Sequence, residues 1–247
     1  MELFDTKHGS LYVLNNDKCF IESMKQGLVF EEDIVMANIL PLLNNMSNEK
    51  IILDIGGHIG SHTLLYSKYI DNCKIYTFEP QSVLFNILKL NVDINKLHNV
   101  QLFHAAVGHK LCKCSMSNKM LDGINCQLEY YTDKLMNYGG VQLGKDGEQV
   151  DMITIDSLNL PNCHYIKVDV EGAEILVFFG AIETIRKYKP VIMFEYFANS
   201  TEKVVTKEMK ETLNIDFELP HVYDFLINEG YRIEHIDYGN KLAIPNK

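Results

Sequence analysis

Residues 51–63 read IILDIGGHIGSHT: an apolar run that ends in an acid, turns on three glycines and enters helix-forming sequence at Ser61. A buried parallel strand followed by such a turn and a helix N-terminus presents a cradle of backbone N–H groups to a nucleotide-like cofactor. Glycine suits that turn because main chain must approach a ligand closely and adopt positive φ. Asp54, Gly56, Gly57, His58, Gly60 and Ser61 are the first candidate cofactor-binding residues.

Outward from this turn the chain alternates. Short, nearly continuous apolar runs at Lys50–Ile55, 74–79, 100–107, 165–170 and Val191–Glu195 predict parallel strands covered on both faces. Helical spacing occupies 61–70, Ser82–Ile94, 173–187 and 221–229. A further helix is expected over 31–44, bent or ended by Pro41. Strands at 231–236 and 241–244, around the turn Asp237-Tyr238-Gly239-Asn240, add an antiparallel pair. The pattern predicts an α/β fold, a doubly wound sheet with helices on both faces. Residues 1–48 are expected to form an N-terminal extension and helix of the same domain, and 49–247 its main body, with an insertion over about 111–149 serving as a substrate-facing lid. The ends of that insertion, 112–117 and 148–155, are expected to pair as strands.

A length of 247 residues fits one substantial core. The formal net charge of −10 and pI near 5.4 argue against a surface that grips nucleic acid, which draws on clustered Lys and Arg. Six scattered cysteines without a CxxC pair favour reduced thiols. Cys112 and Cys114 read as a soft-metal pair or, more simply, as two strand residues, and no metal is expected. The N-terminus lacks a basic-then-apolar leader and no stretch approaches a spanning length, so a soluble, cytoplasmic protein without membrane association is expected.

In an open α/β sheet ligands bind at the carboxyl ends of the strands, and the acids of this chain fall there: Asp54, Glu79, Asp169, Glu171 and Glu195. Glu79 lies at the spacing from Gly56 at which a carboxylate accepts hydrogen bonds from a ribose diol, or else favours a helix N-terminus. The glycines do not form GxGxxG, which weakens pyrophosphate binding and fits S-adenosyl-L-methionine, a cofactor without phosphates.

The run DIGGHIGSHT, then YTFEP, then HAAVG at 104–108 resembles the successive cofactor motifs of class I S-adenosylmethionine-dependent methyltransferases. TIDSL at 154–158, IKVDVEGAEILVFFGA at 166–181 and KPVIMFEY at 189–196 resemble, more narrowly, the FkbM-type methyltransferases. The resemblance covers roughly residues 28 to 236 and is weakest across the insertion. It implies a Rossmann-like seven-stranded sheet in the order 3-2-1-4-5-7-6 with the last strand antiparallel, and methyl transfer to a hydroxyl of a sugar, glycan or other small metabolite. It also implies that Gly56, Gly57 and Gly60 line the methionine portion, Glu79 holds the ribose, and Ala105 and Ala106 border the adenine. His58 departs from the Asn more usual at its position.

An alcohol acceptor must lose a proton, so a base near the sulfur is required. Asp169 is the first candidate, with cofactor-ammonium binding as its other role; Lys167 shares its strand parity and pairs with it or holds substrate. Glu171 is a further candidate or a helix-dipole residue, and Glu195 a second-choice base. His58 and His62 read as hydrogen-bonding or metal-binding groups, His104 and His109 as cofactor or solvent contacts, and Tyr130, Tyr131 and Tyr138 as sugar-stacking or packing groups. The rival readings are an NAD(P)-dependent oxidoreductase, a methyltransferase acting on protein or nucleic acid, and a non-catalytic cofactor-binding module.

Overall fold

The computed structural model describes residues 1–46, 48–120, 129–197 and 205–246. The chain opens with an antiparallel hairpin, β1 (Glu2–Thr6) and β2 (Gly9–Val13), then α1 (Lys18–Lys25), whose N-cap Asp17 accepts from the backbone N–H groups of Cys19 and Phe20. The helix expected over 31–44 is present in three pieces: α2 (Glu32–Ile34), a π-helical turn Val35–Ile39, and α3 (Leu40–Asn44). Pro41, which has no N–H to give and crowds the preceding turn, sits at the start of the third piece.

From β3 (Lys50–Ile55) the alternation runs through α4 (Ser61–Tyr69), β4 (Cys73–Phe78), α5 (Ser82–Ile94) and β5 (Val100–Phe103). The excursion contains β6 (Ala106–Val107), β7 (Cys112–Met120), β8 (Val141–Gly144) and β9 (Gln149–Ile153). The core resumes with β10 (Tyr165–Val168), α6 (Glu174–Gly180), α7 (Ile182–Tyr188) and β11 (Val191–Glu195). It ends with α8 (Lys207–Thr212), α9 (Val222–Asn228), β12 (Tyr231–His235) and β13 (Asn240–Pro245).

The main sheet has seven strands in the order β12-β13-β11-β10-β3-β4-β5. All neighbours are parallel except β13, antiparallel to both β11 and β12. Numbered by core position this is 3-2-1-4-5-7-6 with an antiparallel last strand, as expected. Every residue of β3 and β10 is buried, whereas β5 at the edge is mostly half-buried, which is why the central strands read as nearly continuous apolar runs.

Two expectations are corrected in detail, and the N-terminal extension is defined. The third strand does not run through 107: the chain leaves the sheet at His104 and Ala105, and β6 joins a separate four-stranded sheet, β6-β9-β7-β8. The helix expected over 173–187 is broken at Ala181. Gly180 marks the break, because the carbonyl of Gly108 lies where its Cβ would be. The N-terminal segment is more than a helix: its hairpin is tied to α5 by Asn91, whose Oδ1 accepts from the Tyr12 N–H at 2.6 Å, and by Asn95, which accepts from Ser10 at 3.0 Å.

The ends of the insertion pair antiparallel, Cys112 opposite Met152 and Ser115 opposite Gln149, so Cys112 and Cys114 are strand residues. Residues 121–128 of the expected lid, including Cys126, lie outside the described residues. The five described cysteines are free thiols. Among the described residues no helix is long and apolar enough to cross a membrane.

Candidate active site

A cavity of about 210 Å³ opens at the carboxyl ends of β3, β4, β10 and β11. The glycine turn forms its floor. Gly56 (φ 79°) and Gly60 (φ 90°) are left-handed, as is His58 (φ 50°). The N–H groups of Gly56 and Gly57 donate to the Phe78 carbonyl at 3.0 and 2.9 Å, which fastens the turn to the tip of β4. The glycines answer mainly to protein neighbours. A Cβ on Gly56 would meet the Asp169 carbonyl at 1.8 Å, one on Gly57 the Thr77 side chain at 2.3 Å, and one on Gly60 the Leu88 side chain at 2.6 Å.

Glu79 is buried at one end of the cavity. One carboxylate oxygen accepts from the His58 N–H and the other from the Gln81 N–H, each at 2.9 Å. Burial pushes its carboxyl up to about 7 against these two bonds, which fix its orientation and leave further lone pairs for ligand hydroxyls. Ala105, Ala106 and Val107, from the link where the chain leaves the main sheet, and Met116, Val141 and Leu143, from the second sheet, make the apolar wall beside it.

The other end is charged. Lys167 of β10 is only 5% exposed; its Nζ donates to the Gly56 carbonyl at 2.8 Å and lies 3.3 Å from Asp169 and 3.8 Å from Asp54. Burial alone would lower this ammonium, but Asp169, Asp54 and Glu31 outweigh it and hold it above the ordinary lysine range. The KVDVEGAE segment is thereby explained. Glu171 (φ 56°) and Gly172 (φ 95°) make a left-handed turn, and Glu174 accepts from the N–H groups of Val170 and Gly172 at 3.2 and 3.1 Å. Asp169, Glu171 and Glu195 bring their carboxylates to within 4.8 Å of one another at the cavity.

Of the residues expected from sequence, Gly56, Gly57, His58, Ser61, Glu79, Ala105, Ala106, Lys167, Asp169, Glu171 and Glu195 all line this one cavity. Asp54 and Gly60 do not. Asp54 is fully buried beneath the turn, where it accepts from Thr63 at 2.6 Å and faces Lys167, so it acts as a counter-charge. Gly60 is the N-cap of α4 and packs on Leu88. His104 bonds the Pro80 carbonyl and His109 packs near Phe217, and neither lines the cavity. Tyr138 is fully buried and stacks on Tyr130 at 4.9 Å; Tyr131 is exposed.

Sequence reasoning missed a wall contributed by the N-terminal segment: Cys19, Phe20, Phe30 and Glu31. Phe20 stacks on the His58 ring, centroids 4.5 Å apart with the rings nearly parallel, and Asp17 lies 3.5 Å from His58 Nε2. Burial, aided by Lys167, lowers His58 to about 3, while burial raises Asp17 to about 7, so the imidazole is neutral near pH 7 and the contact is not an ion pair. This wall interlocks with the insertion: the Lys18 N–H donates to the Met136 carbonyl at 2.7 Å and the Met136 N–H to the Asn16 carbonyl at 2.8 Å. The only sequence signal was the Asp17 cap ahead of an apolar-spaced run.

The sequence matches the methyltransferase FkbM domain over residues 54–233. A curated relative, "Methyltransferase 1" of Beauveria bassiana (strain ARSEF 2860), is 25% identical over 146 residues, covering 54% of this chain and 59% of the relative. Among solved structures, methyltransferase FkbM from Methylobacillus flagellatus KT aligns at 17% identity and TM-score 0.46, over 79% of this chain and 43% of that one. Precorrin-6y C5,15-methyltransferase from Geobacter metallireducens GS-15 aligns at 14% identity and TM-score 0.48, over 88% and 90%. This chain therefore spans about half the length of the first two of these relatives. With the family domain matched over most of its length, the chain belongs to the FkbM methyltransferase family.

Proposed function

We infer that the protein is an S-adenosylmethionine-dependent O-methyltransferase acting on a hydroxyl of a sugar, glycan or other small metabolite. The observation that carries this reading is the charge of the cavity. Among the described residues five carboxyl groups line it, those of Glu31, Glu79, Asp169, Glu171 and Glu195, against one ammonium, Lys167, which is already engaged by Asp54, Asp169 and the Gly56 carbonyl. A pyrophosphate would meet repulsion here; a sulfonium cofactor without phosphates would not.

The residues fit such a cofactor. Glu79, already oriented by two main-chain N–H groups, would accept the ribose hydroxyls, and the Ala105 and Ala106 wall, faced by Met116, Val141 and Leu143, would take the adenine. The methionine portion would lie over Gly56 and Gly57 toward Asp169. When bound, S-adenosylmethionine supplies an electrophilic methyl group, and the chain's own contribution is alignment, exclusion of water and removal of the acceptor's proton. The carboxylates at the far end supply candidates for that last task.

Calorimetric titration with S-adenosylmethionine, S-adenosylhomocysteine and NAD in parallel tests the reading. Binding of both sulfur compounds without NAD is expected, followed by transfer of labelled methyl to members of a panel of hydroxylated acceptors. Binding of NAD alone would overturn it in favour of an oxidoreductase.

A further inference from the structure

Glu31 has no place in the motifs that mark the family and lies outside the matched span 54–233, yet it lines the cavity. Both of its carboxylate oxygens have a close neighbour. Asn240 of β13, also outside that span, donates Nδ2–H to Oε1 at 3.1 Å, and His62 Nε2 lies 3.2 Å from Oε2. His62 is itself buried in the first turn of α4, two residues past the glycine turn, with Nδ1 3.5 Å from the Tyr66 hydroxyl. The Glu31 backbone is left-handed (φ 56°), a conformation that costs free energy for a residue with a Cβ and persists where surrounding contacts impose it. Burial alone would raise its pKa, but His62 and Asn240 outweigh that and hold it below the usual range, so Glu31 is ionised at neutral pH.

Asp169, the other carboxylate of this end, is 3.3 Å from the Lys167 ammonium and is engaged with it as an ion pair. The two clamps on Glu31 are an amide and an imidazole, and its field reaches both Asp169 and Lys167 across the cavity. We propose that Glu31, positioned by His62 and Asn240, is the carboxylate that faces the transferred methyl from the acceptor side and receives the acceptor's proton. This rests on the S-adenosylmethionine reading above. The acceptor oxygen forms its bond to the methyl carbon while the carbon–sulfur bond breaks with its electron pair left on sulfur, and the hydroxyl proton passes to a Glu31 carboxylate oxygen and from there to solvent. The N-terminal segment thus supplies a catalytic residue, and the family's core motifs alone do not complete this site.

The test needs no knowledge of the acceptor. Sinefungin carries an ammonium group where S-adenosylmethionine carries its methyl, so its affinity relative to S-adenosylhomocysteine reads the charge facing that position. The expected result is that the wild type prefers sinefungin, and that Glu31→Gln removes about tenfold to a hundredfold of that preference while S-adenosylhomocysteine affinity moves little. Asn240→Ala, which keeps the carboxylate but loosens it, is expected to lose part of the preference. An unchanged preference in Glu31→Gln would overturn the proposal, and so would an equal loss of both ligands, which would make Glu31 a cofactor-binding or structural residue. Failure of either ligand to bind the wild type would instead overturn the cofactor reading itself.

Discussion

The two ends of the cavity are built by opposite means. At the Glu79 end the ligand-facing carboxylate is oriented by main chain, the N–H groups of His58 and Gln81, and the turn beneath it is fastened by main chain to β4. At the other end, side chains do most of the holding: Lys167, besides its bond to the Gly56 carbonyl, lies between Asp54 and Asp169, and Glu31 between His62 and Asn240. The first arrangement is a property of the chain's path and tolerates side-chain changes that leave the path intact. The second depends on side chains from distant segments, so single substitutions can undo it.

This contrast can be broken at several points. The largest expected effect is from Lys167→Met, which leaves Asp54 buried without its counter-charge and should cost about 3–5 kcal/mol in denaturant unfolding. A near-wild-type midpoint would show that the charged end is not held together by this ammonium. Gly56→Ala should cost about 2–4 kcal/mol without any ligand present, because the added Cβ meets the Asp169 carbonyl and φ is positive; stability equal to wild type would contradict the backbone account of the turn.

Glu79→Gln sharpens the comparison at the ligand. Cofactor affinity should fall about tenfold to a hundredfold. The pH dependence has a definite sign: the carboxyl titrates at about 7, so in the wild type affinity rises as pH increases through neutrality and the acceptor oxygens become fully available. Glu79→Gln should lack that rise. For stability the sign is reversed, since a carboxyl whose folded pKa lies above its unfolded value stabilises the fold below the unfolded pKa and loses that contribution as pH rises to about 7. The smallest effect is expected for His58→Asn. Asn tolerates the left-handed region, and the contact to Glu79 comes from main chain, so S-adenosylhomocysteine affinity should change by less than about threefold. A large loss would mean that the imidazole itself binds the ligand.

Much of the main sheet was legible because each strand carries its own signal. The nearly continuous apolar runs of β3 and β10 state that both faces are covered, and chain order with right-handed crossovers leaves few arrangements. The Glu79 end of the cavity was legible for the same reason: the glycine turn and Glu79 follow their strands directly. Gly60 and Asp54 were expected among the cofactor-binding residues but do not line the cavity, since sequence does not distinguish a glycine that packs on Leu88 from one that borders a cleft. Glu31 was not legible at all. It sits among ordinary helix-start residues, and its partner Asn240 is 209 positions away in a turn that reads only as a hairpin. The departure of β6 from the main sheet was hidden likewise, because Val100 to Val107 is apolar enough to pass for one strand.

A crystal structure of the protein with S-adenosylhomocysteine bound tests the central claim most directly. The account predicts the ribose hydroxyls on Glu79, the adenine against Ala105 and Ala106, and the sulfur turned toward the half of the cavity that holds Lys167, Asp169 and Glu31. A nucleoside lying in the reverse direction, or outside this cavity, would contradict it.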